Sequence, residues 1–314
     1  MQLNTTPQRT ITVSAPATIA NLVCGFDILG LCLNHPADEM QVTLTDKSAI
    51  HISSTDGYAL PYEASENTAG APLLEMKKLL PEQTGFDIVI KKNIKPGSGI
   101  GSSAASAAGA VVAANHLLGN PFTREEMIQF ALFGEKAASG VKHADNVAPC
   151  IYGGITLIRS IFPLDIISLS APPLWVTVVH PQIEVRTSDA RQILKKQVLL
   201  KDAIKQWGNI AGLVAGFLQN DYGLISRSLE DVIIEPVRSI LIPGFAEVKK
   251  LSIGAGALGG GISGSGPSVF MLSTDEETAH RVKDQMQKVY EGIGLDHFVY
   301  VTSINTQGVK LINH

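Results

Sequence analysis

The sequence predicts an α+β protein in two parts, on three observations. Residues 86–139 read as strand, glycine loop, helix and second helix. Ser170-Ala171-Pro172-Pro173 then breaks the pattern as a linker would. Beyond it, strands alternate with helices in two pairings, which suits a small antiparallel sheet with helices on one side. At 314 residues the chain has room for two domains, 1–170 and 171–314.

The elements follow from local pattern. Thr10–Ser14 alternates like a strand, and Met40–Leu44 and Ala49–Ser53 read the same way. Over Glu66–Leu80, Ala69, Leu73, Met76 and Leu80 fall on one stripe, which predicts a helix. A strand at 86–92 leads into Lys95-Pro96-Gly97-Ser98-Gly99-Ile100-Gly101-Ser102-Ser103-Ala104-Ala105-Ser106. The Ala-rich stretch 102–118 is a helix ended by Gly119. Asn120-Pro121 breaks it, and Thr123 with Glu126 opens a helix to Ser139 through a capping box. A strand at Tyr152–Ile158 follows Pro149. After the linker come a strand at Leu174–Val179 and helices at Ser188–Leu194, Lys201–Leu218 and Phe245–Ile253. Strand Ser268–Leu272 follows the glycine-dense tract Gly254–Gly266. A helix at Asp275–Tyr290, with Ala279, Val282, Met286 and Val289 on one face, and a strand at Phe298–Ile304 complete the pattern.

The loop at 95–106 is the chain's strongest chemical signal. Three glycines at alternate positions let the backbone approach a ligand closely, and the helix after them delivers free N–H groups and a positive dipole end. That is a phosphate site. It is not a Walker A loop, because no Lys follows Gly101. Gly99-x-Gly101-x-x-Ala104 fits the dinucleotide fingerprint, but the strand–helix–helix order lacks the second strand that a nicotinamide dehydrogenase needs. A glycine-rich turn with a packing role alone is the bland alternative.

Composition narrows the partners. The net charge of −4 and the lack of basic clusters give no case for nucleic acid. Cys24, Cys32 and Cys150 are odd in number and form no CxxC, which suits a reducing compartment. The first residues lack the layout of a signal peptide, and the apolar stretch at 104–118 is too short to span a bilayer. A cytoplasmic protein without a membrane partner is expected.

Other segments carry chemistry less decisively. Asn21 and Asp27 are polar in an apolar run and suit a local turn as well as a ligand. Lys142-His143-Ala144-Asp145-Asn146 is a polar knot, in which His143 by itself is more often structural than catalytic. Glu135 on a helix is solvated by default. Thr187 or Ser188 is a natural helix cap, with Arg191 one turn inside. Arg238 precedes an apolar stretch, where an arginine needs an anion; for both arginines an internal salt bridge is the alternative. The tract Gly259–Ser268 combines backbone freedom with hydroxyls before a buried strand and reads as a second anion-approaching loop.

In this order, the segments resemble the kinase superfamily of galactokinase, homoserine kinase, mevalonate kinase and phosphomevalonate kinase (GHMP) along nearly the whole chain. Pro96–Ala105 matches its phosphate motif, with Ile100 where the motif has Leu. Residues 14–30 and 259–270 look like its N-terminal and C-terminal motifs. Within the superfamily, A-P-A-T-I-A-N-x-x-x-G-F-D-I-L-G at 15–30, H-A-D-N-V-A-P at 143–149 and T-x-x-A-R at 187–191 look like the homoserine kinases.

The resemblance implies a two-domain α+β fold, the first domain like ribosomal protein S5 domain 2 and the second ferredoxin-like. It implies ATP with its phosphates over Pro96, Gly97, Ser98, Gly99, Ile100, Gly101, Ser102, Ser103, Ala104 and Ala105, with Asn67 at the adenine. It implies Mg²⁺ on Ser103 and Glu135, hard oxygen ligands of the right kind. L-homoserine would meet Asn21, Asp27, Asn146, Thr187, Arg191, Arg238 and Gly264, with Asn146, Glu135, Ser103 and Arg191 nearest the reacting groups. Guanidinium groups suit the amino acid's carboxylate, and an acceptor such as Asp27 or Asn21 suits its ammonium. Where sugar and mevalonate kinases use an aspartate base, the matching position is Asn146, so the hydroxyl proton is expected to leave to the γ-phosphate or water; a one-residue gap would bring Asp145 there instead. A homodimer is implied. The alternatives are a mevalonate-like kinase and a nucleotide-binding regulator without turnover.

Overall fold

The structure is a computed structural model that describes residues 9–54, 58 and 60–312. The first residues, on which the signal-peptide reading rests, lie largely outside that range. Chain order is β1 (Thr10–Ala20), β2 (Leu29–Thr45), β3 (Ile50–Ser54), α1 (Gly70–Lys77), β4 (Gly85–Lys91), α2 (Ser102–Leu117), α3 (Arg124–Ser139), α4 (Ala144–Tyr152), β5 (Ile155–Ile161), β6 (Leu164–Leu169) and β7 (Trp175–Pro181). There follow α5 (Thr187–Gln192), α6 (Leu200–Gln219), α7 (Tyr222–Ser228), α8 (Glu235–Arg238), α9 (Phe245–Gly254), β8 (Gly259–Ile262), β9 (Val269–Ser273), α10 (Glu276–Gly292), β10 (His297–Ser303) and β11 (Lys310–Ile312).

The strands form two sheets. The first runs β11-β1-β2-β4-β3, with β5 and β6 attached through β2, and only its β3–β4 pairing is parallel. The second is antiparallel, in the order β10-β7-β9-β8. Residues 170–173 run between β6 and β7, from the first sheet to the second, and the chain returns at β11 to the edge of the first.

Strand alternation decides which face packs where. One core joins the first sheet (Val13, Met40, Phe86, Ile88) to α2, α3 and α4 through Ala107, Val111, Ile128, Leu132 and Val147. On the second sheet Val179, Val269 and Met271 face α9 and α10, meeting Val248, Val282 and Met286. The opposite face, with Val176, Val178, Phe270 and Leu272, packs on Ile19, Leu29 and Leu31 of the first sheet and on α6 and α7. The sheets therefore share a core, and loops of both halves meet at its edge.

Several elements differ from their predicted bounds. β1 runs on to Ala20 and β2 starts at Leu29, because Ala15–Ala20 and Leu29–Leu33 are buried throughout and show no alternation. α1 starts only at Gly70, since Asn67 is held in a turn, its Oδ1 accepting from the Ala69 N–H at 2.8 Å. The polar knot opens a helix, α4, with Pro149 inside it, and the strand begins at Ile155 rather than Tyr152. A proline normally argues against a helix interior, which hid this element. The predicted side-chain cap of α5 is absent: Arg186 holds the N-cap position and no side chain caps it. Within the second glycine tract, Gly259–Ile262 is a buried strand, and only 263–267 form a loop. The capping box of α3 forms as predicted, with Thr123 Oγ1 accepting from the Glu126 N–H and Glu126 from the Thr123 N–H.

Candidate active site

The glycine loop crosses from β4 to α2 with Gly97, Gly99 and Gly101 all left-handed, at φ 74°, 82° and 71°. At Gly101 this is obligatory, since a Cβ would overlap Thr18 Oγ1. Gly101 is the N-cap of α2 and no side chain caps the helix, which leaves the N–H groups of its first turn without an intrahelical partner. The loop is braced from both sides. Thr18 N–H donates to the Ile100 carbonyl at 3.1 Å. From the second half, Ser263 Oγ donates to the Gly99 carbonyl at 2.7 Å and Ser268 Oγ to the Ser98 carbonyl at 2.6 Å. The second glycine tract thus supports the first.

A cavity of about 310 Å³ opens over this helix end. On one wall Ser103 Oγ donates to Glu135 Oε1 at 2.7 Å. Glu135 is 6% exposed, and burial pushes its carboxyl up to about 7, against the lowering by the Ser103 hydrogen bond. Asp145 opens α4 beside it; burial, then the charges of Asp27 and Glu135, hold its carboxyl at about 7 as well. Asn146 Oδ1 accepts from Thr18 Oγ1 at 2.8 Å, which fixes the amide.

The other wall carries the opposite charge. Arg191, on α5, donates to both oxygens of Asp27 at 2.7 and 3.0 Å and lies 3.3 Å from His143 Nδ1. Burial, then the Arg191 charge, pushes the His143 imidazole below its usual range. Arg238 is 3% exposed and donates to the Ala190 and Gly264 carbonyls at 2.9 and 3.1 Å. Burial, then Arg191, brings its pKa down to about 10. Asn21 Nδ2 donates to the same Gly264 carbonyl at 2.9 Å, and its Oδ1 accepts from the Asp27 N–H at 3.0 Å. Thr187 lies across from Ser265, their hydroxyls 3.3 Å apart.

The fold thus brings Asn21, Asp27, Pro96, Gly97, Gly99, Gly101, Ser102, Ser103, Glu135, Asn146, Thr187, Arg191, Arg238 and Gly264 to one cavity. Ser98, Ile100, Ala104 and Ala105 are buried behind the loop and helix. Asn67 is also buried, its amide donating to the Pro61 carbonyl at 2.6 Å, and its neighbour Thr68 reaches the wall instead. Sequence reasoning also missed Phe26, Thr18 and Lys92. Phe26 lines the cavity. Thr18 holds Asn146. Lys92 pairs with buried Asp38 and donates to the Ser102 carbonyl at 3.0 Å, tying the strand before the loop to the helix after it. A lysine ending an apolar strand was the available signal for the last.

The geometry suits transfer between two bound anions. Backbone amides and a helix dipole face one, a hydroxyl–carboxylate pair stands beside them, and two guanidinium groups with a carboxylate face the other.

Comparison with known proteins agrees. Residues 67–154 match the GHMP kinases N terminal domain, and residues 213–292 match the GHMP kinases C terminal model. Homoserine kinase of Chloroherpeton thalassium is 45% identical over 316 residues, covering 96% of this chain and 99% of that protein. The crystal structure of homoserine kinase from Cytophaga hutchinsonii superposes with a TM-score of 0.95 at 47% identity, covering 99% of this chain and 100% of that one. L. major mevalonate kinase, in complex with R-mevalonate, shares the fold alone: TM-score 0.70, 14% identity, 95% and 96% coverage.

Proposed function

The chain belongs to the GHMP kinase family, and from that premise we propose that it transfers the γ-phosphoryl group of ATP to the side-chain hydroxyl of L-homoserine. The observation that carries the reading is the pairing of Asp27 with Arg191, beside Arg238, in the same cavity as the free end of α2. A zwitterionic amino acid exchanges into this arrangement: its ammonium meets Asp27 and its carboxylate meets the arginines. Mevalonate has no ammonium and would leave Asp27 without a cationic partner on the substrate.

Phosphoryl transfer rests on positioning and charge. The α2 amides and dipole hold the phosphates, and one lost donor of this kind costs about 3 kcal/mol in the barrier. Ser103 and Glu135 suit Mg²⁺, because a buried carboxylate held near 7 is stabilised as the anion by a cation beside it. Among the described residues no cluster of three His, Cys, Asp or Glu could hold a metal, so phosphate and water oxygens would complete the shell. Mg²⁺ would supply charge neutralisation at the β- and γ-phosphates.

Asn146 cannot accept a proton, and the reading keeps the hydroxyl proton for the γ-phosphate or water. A second reading has its own observation: Asp145 lines the cavity with a carboxyl near 7, the range of a general base.

The free, buried Cys24, Cys32 and Cys150 suit a reducing cytoplasm, and no helix among the described residues could cross a membrane. We read the chain as two domains divided near 170–173, and as a homodimer, for which Leu199, Leu200, Ile204 and Trp207 offer exposed apolar surface. The function is tested by ADP release from Mg-ATP with homoserine, mevalonate, shikimate or galactose. Turnover with homoserine alone is expected; preference for another acceptor refutes the reading.

A further inference from the structure

Arg191 and Arg238 share one cavity, and like charges so close need compensation. Arg191 has Asp27, but on the homoserine reading that carboxylate turns to the substrate's ammonium. Arg238 donates to two carbonyls, and the charges of Asp27, Asp231 and Asp145 offset part of its own. Both also meet an aromatic ring: the guanidinium carbons of Arg238 and Arg191 lie 4.9 and 5.5 Å from the centroid of Phe26, within the range of cation–π attraction. Phe26 also lines the cavity. Its loop is set stiffly, with Asn21, Leu22, Val23 and Asp27 all left-handed and the Asp27 N–H held by Asn21.

The ring's chemistry is particular. A π face attracts cations without taking their N–H donors, so it leaves an incoming carboxylate the guanidinium donors that Asp27 and the Ala190 and Gly264 carbonyls do not use. A carboxylate at position 26 would occupy the remaining donors and repel the substrate's own, while an aliphatic side chain would attract neither cation.

We propose that Phe26 is a positioning residue that sets specificity for acceptors bearing a carboxylate, its ring face holding Arg191 and Arg238 together as one carboxylate receptor. The proposal rests on the homoserine reading.

Its test separates ring electronics from shape. Phe26 is replaced by phenylalanines carrying one, two or three ring fluorines, which weaken the negative face with little change in bulk. KM and kcat are measured for homoserine and for 3-aminopropan-1-ol, the same molecule without its carboxylate. The homoserine KM should climb stepwise to about tenfold, the size of a lost interaction of roughly 1.4 kcal/mol. KM for ATP and kcat/KM for the amino alcohol should stay within twofold. Phe26→Leu should match or exceed the largest effect, and Phe26→Tyr should restore homoserine KM. A flat homoserine KM across the series, or equal losses with both acceptors, overturns the proposal, and the fluorinated series decides even if Phe26→Leu fails to fold. Wild-type enzyme that turns over neither acceptor would refute the substrate reading and this proposal with it; an active wild type with a flat series refutes the role of Phe26 alone.

Discussion

At Arg238 the hydrogen bonds to the Ala190 and Gly264 carbonyls fix the side chain without adding a negative charge to it. Hydrogen bonds to charged groups are worth about 1.5–3 kcal/mol, so Arg238→Ala should raise KM for homoserine at least tenfold and leave KM for ATP nearly unchanged. Steady-state kinetics check this, and equal damage to both constants would contradict the assignment. The proton path is decided one residue before Asn146. With no dedicated base, Asp145→Asn keeps most of kcat. Loss of most of kcat with KM and fold intact would make Asp145 the base. The residue types at these positions were legible from motif spacing. That Arg191 reaches Asp27, 164 positions away, was not.

The element that matters most is the glycine loop with its helix. Gly101→Val would force a side chain into Thr18 at a left-handed position, and nucleotide affinity should fall at least tenfold in a protein with an unchanged far-UV spectrum. Titration calorimetry with an ATP analogue measures it; unchanged affinity would sink the phosphate assignment. The brace from Ser268 makes a remote counterpart. Ser268→Ala should weaken nucleotide binding several-fold although the residue borders β9 in the second sheet, and unaltered binding would mean the brace is not felt. The loop and its helix were plain in the sequence because propensity and capping are local. α4 was not, because Pro149 argued against a helix that tertiary packing of Val147, Ala148 and Ile151 imposes.

Across the whole molecule, the site costs stability. Burial holds Glu135 and Asp145 at about 7, whereas an unfolded chain ionises them near 4. Between those values the folded protein keeps protons that the unfolded chain has lost. Stability therefore falls as pH rises from about 4 to 7. Glu135→Gln removes a penalty of about 3 kcal/mol at pH 8, so its thermal midpoint should exceed the wild type's there and match it near pH 4, while turnover collapses. Calorimetry at the two pH values tests this, and a midpoint at pH 8 no higher than wild type would refute it.

The sequence by itself determined the glycine loop, the amphipathic helices and the residue types of the cavity, since dihedral freedom, capping and periodicity act over a few positions. Only the tertiary structure decided that β1 and β2 run on through a core buried on both faces, that Ser263 and Ser268 brace the loop, and that Phe26 meets both arginines. Those facts depend on the packing of one sheet against the other, which contacts between distant segments create and no local pattern encodes.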